Sequence, residues 1–486
     1  MPLSSITQAT GAALREASGY LADLVTPTIR LGVTGLSRSG KTVFIVALVR
    51  NLTLGGRLPF FSVASEQRLI RAYLEPQPDD SVPRFAYEEH LAALSRDPPQ
   101  WPESTRRISQ LRVTIEYASA SAVRRALLPN RLHLDIVDYP GEWLIDLPMM
   151  AQNYATWSAE ALALAAAPRR AAAAAQFLSF VRSLDAGAPP DEQVAIRGAR
   201  LFTDYLMAVR AADPTLSIAG PGHFLLPGDL EGSPLLTFFP VPPEGEQGTR
   251  NGLAQMLERR FESYKTHVVR PFFRDHFSRL DRQIVLVDAL SALNSGPEGV
   301  ADLEATLTAV LSAFRPGRAS WLGQLFSPRI DRIAFAATKA DHLHSANHDR
   351  LEAILGALTS RAEARAAGAG AEIRAFAIAA LRATKEGEVT RDGQRLPCII
   401  GTPLAGEKIG GETFDGKRSA AVFPGDLPPL DVVTGETAGS AFAREVRVVR
   451  FAPPRIITET PSGLVAPWPH VRLDRALEFL IGDHLQ

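Results

Sequence analysis

A single cysteine in 486 residues, Cys398, leaves no material for an intrachain disulfide framework or a cysteine-rich zinc site. Its neighbours Leu396, Ile399 and Ile400 predict a buried strand thiol with a structural role. Net charge is as scarce. The 52 basic and 53 acidic side chains leave −1, so no whole-molecule field draws the chain to DNA, RNA or an anionic membrane. No nucleic-acid partner is expected, whereas local basic patches and peripheral membrane contact stay open. No window approaches the ~20 apolar residues that span a bilayer. Residues Met1 to Pro27 lack the charged and apolar regions of a secretory signal. The expectation is a soluble, cytoplasmic protein. A hydrophobic fraction of 46% is ordinary for a globular chain, and the length exceeds what one compact core holds, predicting a core with large additions.

Apolar residues at helical spacing (Ile6, Ala13, Ala17, Tyr20, Leu21, Leu24) predict an amphipathic N-terminal helix over 1–27. Such a helix packs on its own domain or lies on a partner or membrane. A short strand from Arg30 to Thr34, a glycine-rich turn and the apolar run Val43 to Val49 open the first part of the core, 28–142. Within it, 57–107 is rich in Pro and charge and reads as an irregular insertion. Gln110 to Tyr117 and Arg131 to Val137 read as paired strands. The Ala-rich tract Ala171 to Ala175 and the spacing of Leu253, Leu257, Phe261, Tyr264 and Val268 predict a helical insertion domain over 143–281. Strand and helix alternate again in 282–384, with strands at Ile284 to Val287, Ile333 to Ala337 and Ile373 to Ile378. A C-terminal extension with short strands, 385–486, follows. This rhythm predicts an α/β fold, a P-loop core of GTPase type with a mostly parallel sheet covered by helices.

Gly35-Leu36-Ser37-Arg38-Ser39-Gly40-Lys41-Thr42 matches GxxxxGK[ST]. Glycines let successive backbone N–H groups face phosphate oxygens, and the following helix N-terminus adds its dipole. Lys41 would reach the β- and γ-phosphates and Thr42 would ligate Mg2+. By composition alone such a match arises in roughly one or two chains per hundred of this length, so the strand before it and the helix after it carry the assignment. Asp138-Tyr139-Pro140-Gly141 follows a strand, where Asp138 can hold magnesium through water and the Gly141 N–H can approach a γ-phosphate. Thr338-Lys339-Ala340-Asp341 follows another. There a carboxylate accepts from guanine N1–H and N2–H2, which adenine cannot offer, while the lysine stem packs on the base. Thr338 replaces the commoner Asn, predicting a looser tie to the P-loop. Ala379-Ala380-Leu381 occupies the position from which a backbone N–H, that of Ala380, contacts guanine O6. Thr105 is the nearest candidate for a γ-phosphate-ordered threonine.

The order of these motifs is that of translation-factor-like GTPases. The whole sequence resembles the YcjX-like family of bacterial P-loop proteins through the P-loop string, Asp138 to Trp143, Arg282 to Asp288 and Arg418 to Gly425. The resemblance implies a GTPase-like core with a helical insertion and a loose link to stress responses. GTP and GDP are the expected ligands. Two positions bear on hydrolysis. Glu142 stands where Ras-like enzymes carry a water-orienting glutamine; it either accepts a proton from water or pairs with an arginine, and slow turnover is expected. Arg38 sits at a P-loop step similar to that of guanylate-binding proteins and atlastins, whose arginine acts as a finger in cis; self-association orders it there. A surface salt bridge is the other role open to it. The expected function is a slow GTPase switch, with a nucleotide-stabilised scaffold as the alternative and an ATPase less favoured by Asp341.

Overall fold

Strands whose side chains are apolar on both faces can only sit between two layers of helices. β1 (Thr28–Gly35) is covered on both faces, Leu31 and Val33 buried on one and Gly32 and Thr34 on the other. The computed structural model describes residues 26–35, 39–103, 107–120, 130–212, 220–242, 252–314, 330–365, 371–391, 394–409, 411–435, 447–456 and 467–486. The expected N-terminal helix, Ser37, Arg38 and Thr105 lie outside these residues.

β2 (Leu69–Leu74), β3 (Ser109–Tyr117), β4 (Asn130–Asp138), β5 (Arg282–Val287), β6 (Arg332–Ala337) and β7 (Glu372–Ala377) complete a seven-stranded sheet in the order β2-β3-β4-β1-β5-β6-β7. From β4 to β7 all neighbours pair in parallel, and β3 runs antiparallel to both β4 and β2. The segment read as irregular therefore contributes an edge strand. Its pattern hid it: Ile70 and Arg71 are exposed and Ala72 alone is fully buried, as an edge strand with one covered face allows.

One face of the sheet packs against the P-loop helix Lys41–Thr53 and the C-terminal helix Leu473–Ile481, whose Leu477 and Leu480 join Ile45, Leu48 and Ile284. The other face carries the helices Pro297–Phe314 and His348–Arg365. The helical insertion grows from this second face. The helices Tyr154–Ala165, Pro168–Arg182, Glu192–Ala212 and Leu253–Tyr264 bury a core of aromatic rings, among them Trp157, Phe177, Phe202, Phe238 and Phe261. Pro168 starts the alanine-rich helix at a position where its missing N–H costs nothing. This core is continuous with Val285, Phe335 and Leu307 of the sheet and its helices, and the buried Arg170 pairs with Asp302 at 3.1 Å. The insertion thus shares apolar packing with the core and is not a separate body on a linker.

Beyond the sheet, β8 (Lys385–Arg391) and β9 (Gln394–Gly401) form an antiparallel pair, β10 (Lys408–Ile409) and β11 (Glu412–Thr413) another, and β12 (Ala420–Val422) joins β9. Cys398 is buried in β9, and burial pushes its thiol up.

Candidate functional site

In a parallel sheet the carboxyl ends of the strands open a crevice where helix N-termini converge. Here β1 ends at Gly35, β4 at Asp138, β5 at Val287 and β6 at Ala337, and the helix entry at Lys41, Asp138 to Gly141, Thr338 to Asp341 and Ala379 to Leu381 each lie at one of these ends or that of β7. Gly40 has φ of 82°, the left-handed region that lets the chain enter the helix at Lys41 without a side-chain cap. The first-turn N–H groups are thereby left for an anion, and the turn holds no acidic side chain. A Cβ on Gly35 would collide with Ser39 Oγ and come within 2.9 Å of Leu286 Cβ, so the turn closes only with glycine there.

Lys41 reaches back across the turn. Its Nζ donates to the Tyr139 carbonyl at 2.7 Å and pairs with Asp138 Oδ1 at 2.9 Å. Thr42 Oγ1 makes one long bond, 3.4 Å, to the Glu103 carbonyl. Gly141 lies so close to the start of the P-loop that a Cβ would stand 2.5 Å from the Gly35 carbonyl oxygen. Tyr139 is anchored beneath by its hydroxyl, which donates to Gln283 Oε1 at 2.7 Å, and burial raises its phenol well above the ordinary value. Glu142, next along the chain, is buried and accepts a 2.6 Å bond from Arg210 Nη2 on the insertion helix Glu192–Ala212. Of the two roles left open for Glu142, its carboxylate takes the ion pair with an arginine.

At the far end of the crevice Lys339 adopts φ of 61° and its Nζ pairs with Asp288 at the end of β5. Burial alone would raise the Asp288 carboxyl. The Lys339 ammonium, with hydrogen bonds from Lys339 and Ser291, holds it below the usual carboxylate range. Thr338 donates its hydroxyl to the Val287 carbonyl at 3.3 Å. Asp341 is buried, and its Oδ2 accepts from the backbone N–H groups of Ala383 at 2.6 Å and Thr384 at 3.3 Å. The loop carrying Ala380 is pinned by the Ala379 and Val471 pair and by Arg382 N–H to the Pro469 carbonyl, 2.9 Å.

These two ends belong to one cavity of about 370 Å³, within the usual range for small-molecule sites. Gly35, Ser39, Gly40, Lys41, Thr42 and Glu142 line one end, and Thr338, Lys339, Asp341 and Ala380 line the other. Asp138 and Gly141 stand behind the wall, in contact with Lys41 and Gly35 respectively. The lining also includes residues not singled out from sequence, among them Trp101, Arg210, His342, Arg450 and Phe451. Trp101 Nε1 donates to the Phe451 carbonyl at 2.8 Å, and His342 meets the Phe451 ring edge-on at 5.0 Å, its imidazole pushed down by burial. Their signal in sequence is faint, because Trp101 lies in a Pro-rich stretch and Phe451 in a loop. Both come from additions to the core, so the additions build part of the wall.

The model of the YcjX-like family, DUF463, matches residues 29–485. A protein named Ras-like GTPase YcjX from Escherichia coli (strain K12) is 39% identical over 471 residues, spanning 94% of this chain and 96% of its own. A protein of the same name from Shewanella oneidensis is 35% identical over 479 residues, spanning 94% of this chain and 95% of its own. With its P-loop, strand-end aspartates and helical insertion in these positions, the chain belongs to the YcjX-like family.

Proposed function

We propose that the chain binds GTP and GDP and hydrolyses GTP slowly, as a switch. The observation that carries this is the single cavity joining Lys41 and Thr42 at one end to Lys339 and Asp341 at the other. The relatives' names, Ras-like GTPases, support it. Phosphates would lie against the open N–H groups of the P-loop helix and Lys41, and guanine against Asp341, Lys339 and the Ala380 N–H. Thr42 and Asp138 are hard oxygen donors suited to magnesium, and among the described residues no group of three His, Cys, Asp or Glu forms a protein cage for an ion. Thr42 would therefore hold Mg2+ directly, Asp138 through water. Bound there, the ion would neutralise charge on the phosphates.

Switching in this reading is local. An aromatic side chain buries ~150–250 Å², which at about 25 cal/mol per Å² amounts to several kcal/mol. Allosteric coupling typically supplies about 1–3 kcal/mol. Nucleotide state can rearrange polar contacts at the site, but not lift the insertion, or the segment Gly141–Ala151 whose Trp143 packs on His223 and Phe272, from the aromatic packing that holds them. The pairing of Glu142 with Arg210 favours a second reading, a scaffold with structural nucleotide, because a carboxylate so engaged does not orient water. In the cell, the resemblance suggests a cytoplasmic protein of the stress response, a role tested by survival of a deletion strain after heat.

Calorimetry with magnesium should give tight GTP and GDP binding and ATP weaker by at least about 100-fold, since adenine brings no matching pair of donors to the Asp341 carboxylate and an unmet buried acceptor is costly. Equal ATP affinity would sink the guanine reading. Single-turnover rates then separate switch from scaffold. Arg38 is proposed as a finger in cis. Arg38→Ala should leave GDP affinity nearly unchanged and lower the rate by a large factor, with Arg38→Lys restoring it in part. A rate that rises with wild-type concentration would point to self-association as what orders it; identical rates in all three proteins would remove Arg38 from the mechanism.

A further inference from the structure

We propose that Arg210, supplied by the insertion helix Glu192–Ala212, contacts the γ-phosphate and is held ready for it by Glu142; the inference rests on the GTPase reading above. Arg210 lines the phosphate end of the cavity together with Lys41, Thr42 and Glu142. Its Nη2 bonds Glu142 Oε1 at 2.6 Å, and among the described residues Glu142 is its hydrogen-bond partner. A guanidinium carries five N–H donors, so an arginine with one bond made still has donors to offer an incoming anion.

The charge arrangement argues for the same role. Glu142 directly follows Gly141, whose backbone lies against Gly35, and is therefore fixed beside the P-loop. A buried carboxylate there repels a triphosphate. With Arg210 bridging, the pair is neutral as a unit and its guanidinium side is the one that attracts. Gly222 presses on the Glu142 backbone, a Cβ there standing 3.0 Å from the Trp143 nitrogen, and Gly222 N–H donates to Asp146 Oδ1 at 2.6 Å. The buried Asp146 also accepts from the Tyr264 hydroxyl at 2.6 Å. The insertion therefore grips the segment after Gly141 at Glu142 and again at Asp146, and carries the arginine on the last turn of the helix Glu192–Ala212. In the reaction, the oxygen of a water forms a bond to Pγ while the bond from Pγ to the β–γ bridging oxygen breaks. That electron pair stays on the β-phosphate of GDP, and the water's proton ends on the released phosphate. Arg210 offsets the negative charge on the γ-phosphate oxygens and the bridging oxygen as this happens.

The test compares wild type, Arg210→Ala and Arg210→Gln for GDP affinity, single-turnover GTP hydrolysis and binding of GDP with aluminium fluoride. Glutamine keeps a hydrogen bond to Glu142 but carries no charge, so it preserves a tether and removes the cation. Both variants should bind GDP within a few-fold of wild type. Both should hydrolyse GTP at least ~100-fold more slowly, at the low end of an arginine finger's effect, and lose the fluoride complex in proportion. Arg210→Gln at the wild-type rate would reduce Arg210 to a tether and overturn the proposal. Unchanged rates in both variants would overturn it too, as would a wild type that binds GTP yet neither hydrolyses it nor traps the fluoride. A wild type that binds no guanine nucleotide fails one step earlier, and takes down the GTPase reading itself. Should Arg210→Ala not fold, Arg210→Gln carries the comparison.

Discussion

Lys41→Ala is expected to abolish guanine-nucleotide binding, with a loss of at least about 1,000-fold. The lysine contributes a point charge to the phosphates and also neutralises Asp138, which it meets at 2.9 Å in a site where Asp138 is 1% exposed. Removing one partner of a buried pair typically costs about 3–5 kcal/mol, or roughly two to three and a half powers of ten. Here the carboxylate left without its lysine would also face incoming phosphate. From the sequence alone the substitution looks harmless to folding, because lysine fills no core. The ion pair changes that expectation: the variant should fold with a lowered thermal midpoint. Adding Asp138→Asn should restore much of the midpoint without restoring binding. Titration with a fluorescent guanine nucleotide, beside thermal unfolding, checks both halves, and normal GTP affinity in Lys41→Ala would end the P-loop assignment.

The second large effect is expected from Asp341→Asn, which should weaken GTP by at least about 100-fold and turn preference towards xanthine nucleotides. Asp341 Oδ2 already accepts from the backbone N–H groups of Ala383 and Thr384. An asparagine can satisfy those donors only with its oxygen, so its NH2 must take the other arm. There it meets the donors of guanine with further donors, an unpaired and costly arrangement, whereas the 2-oxo group of xanthine accepts from it. Competition between guanosine and xanthosine diphosphates measures the switch. A preference for guanine that survives the substitution would show that another group reads the base.

Much of this site is legible in one dimension, for a physical reason. Gly40 must enter the left-handed region, Lys41 must follow it on the first helical turn, and Asp138 and Asp341 must follow buried strands. Each is a constraint between close neighbours, and local composition records it. The same holds for the continuous apolar runs of β5 and β6, buried on both faces. β2 escaped notice because an edge strand is asked to bury little, and its exposed Ile70 and Arg71 break the alternation.

The sequence by itself therefore determined the α/β core, the nucleotide-type loop and the helical character of the insertion, since periodicity and turn chemistry act over a few residues. Only the tertiary structure decided what closes the cavity and what Glu142 touches. Trp101 and Phe451 meet across 350 positions of chain, and Arg210 reaches Glu142 across 68. No local spacing encodes such contacts. They follow from three additions folding back onto the strand ends, where burying aromatic surface and pairing a buried carboxylate stabilise the closed arrangement.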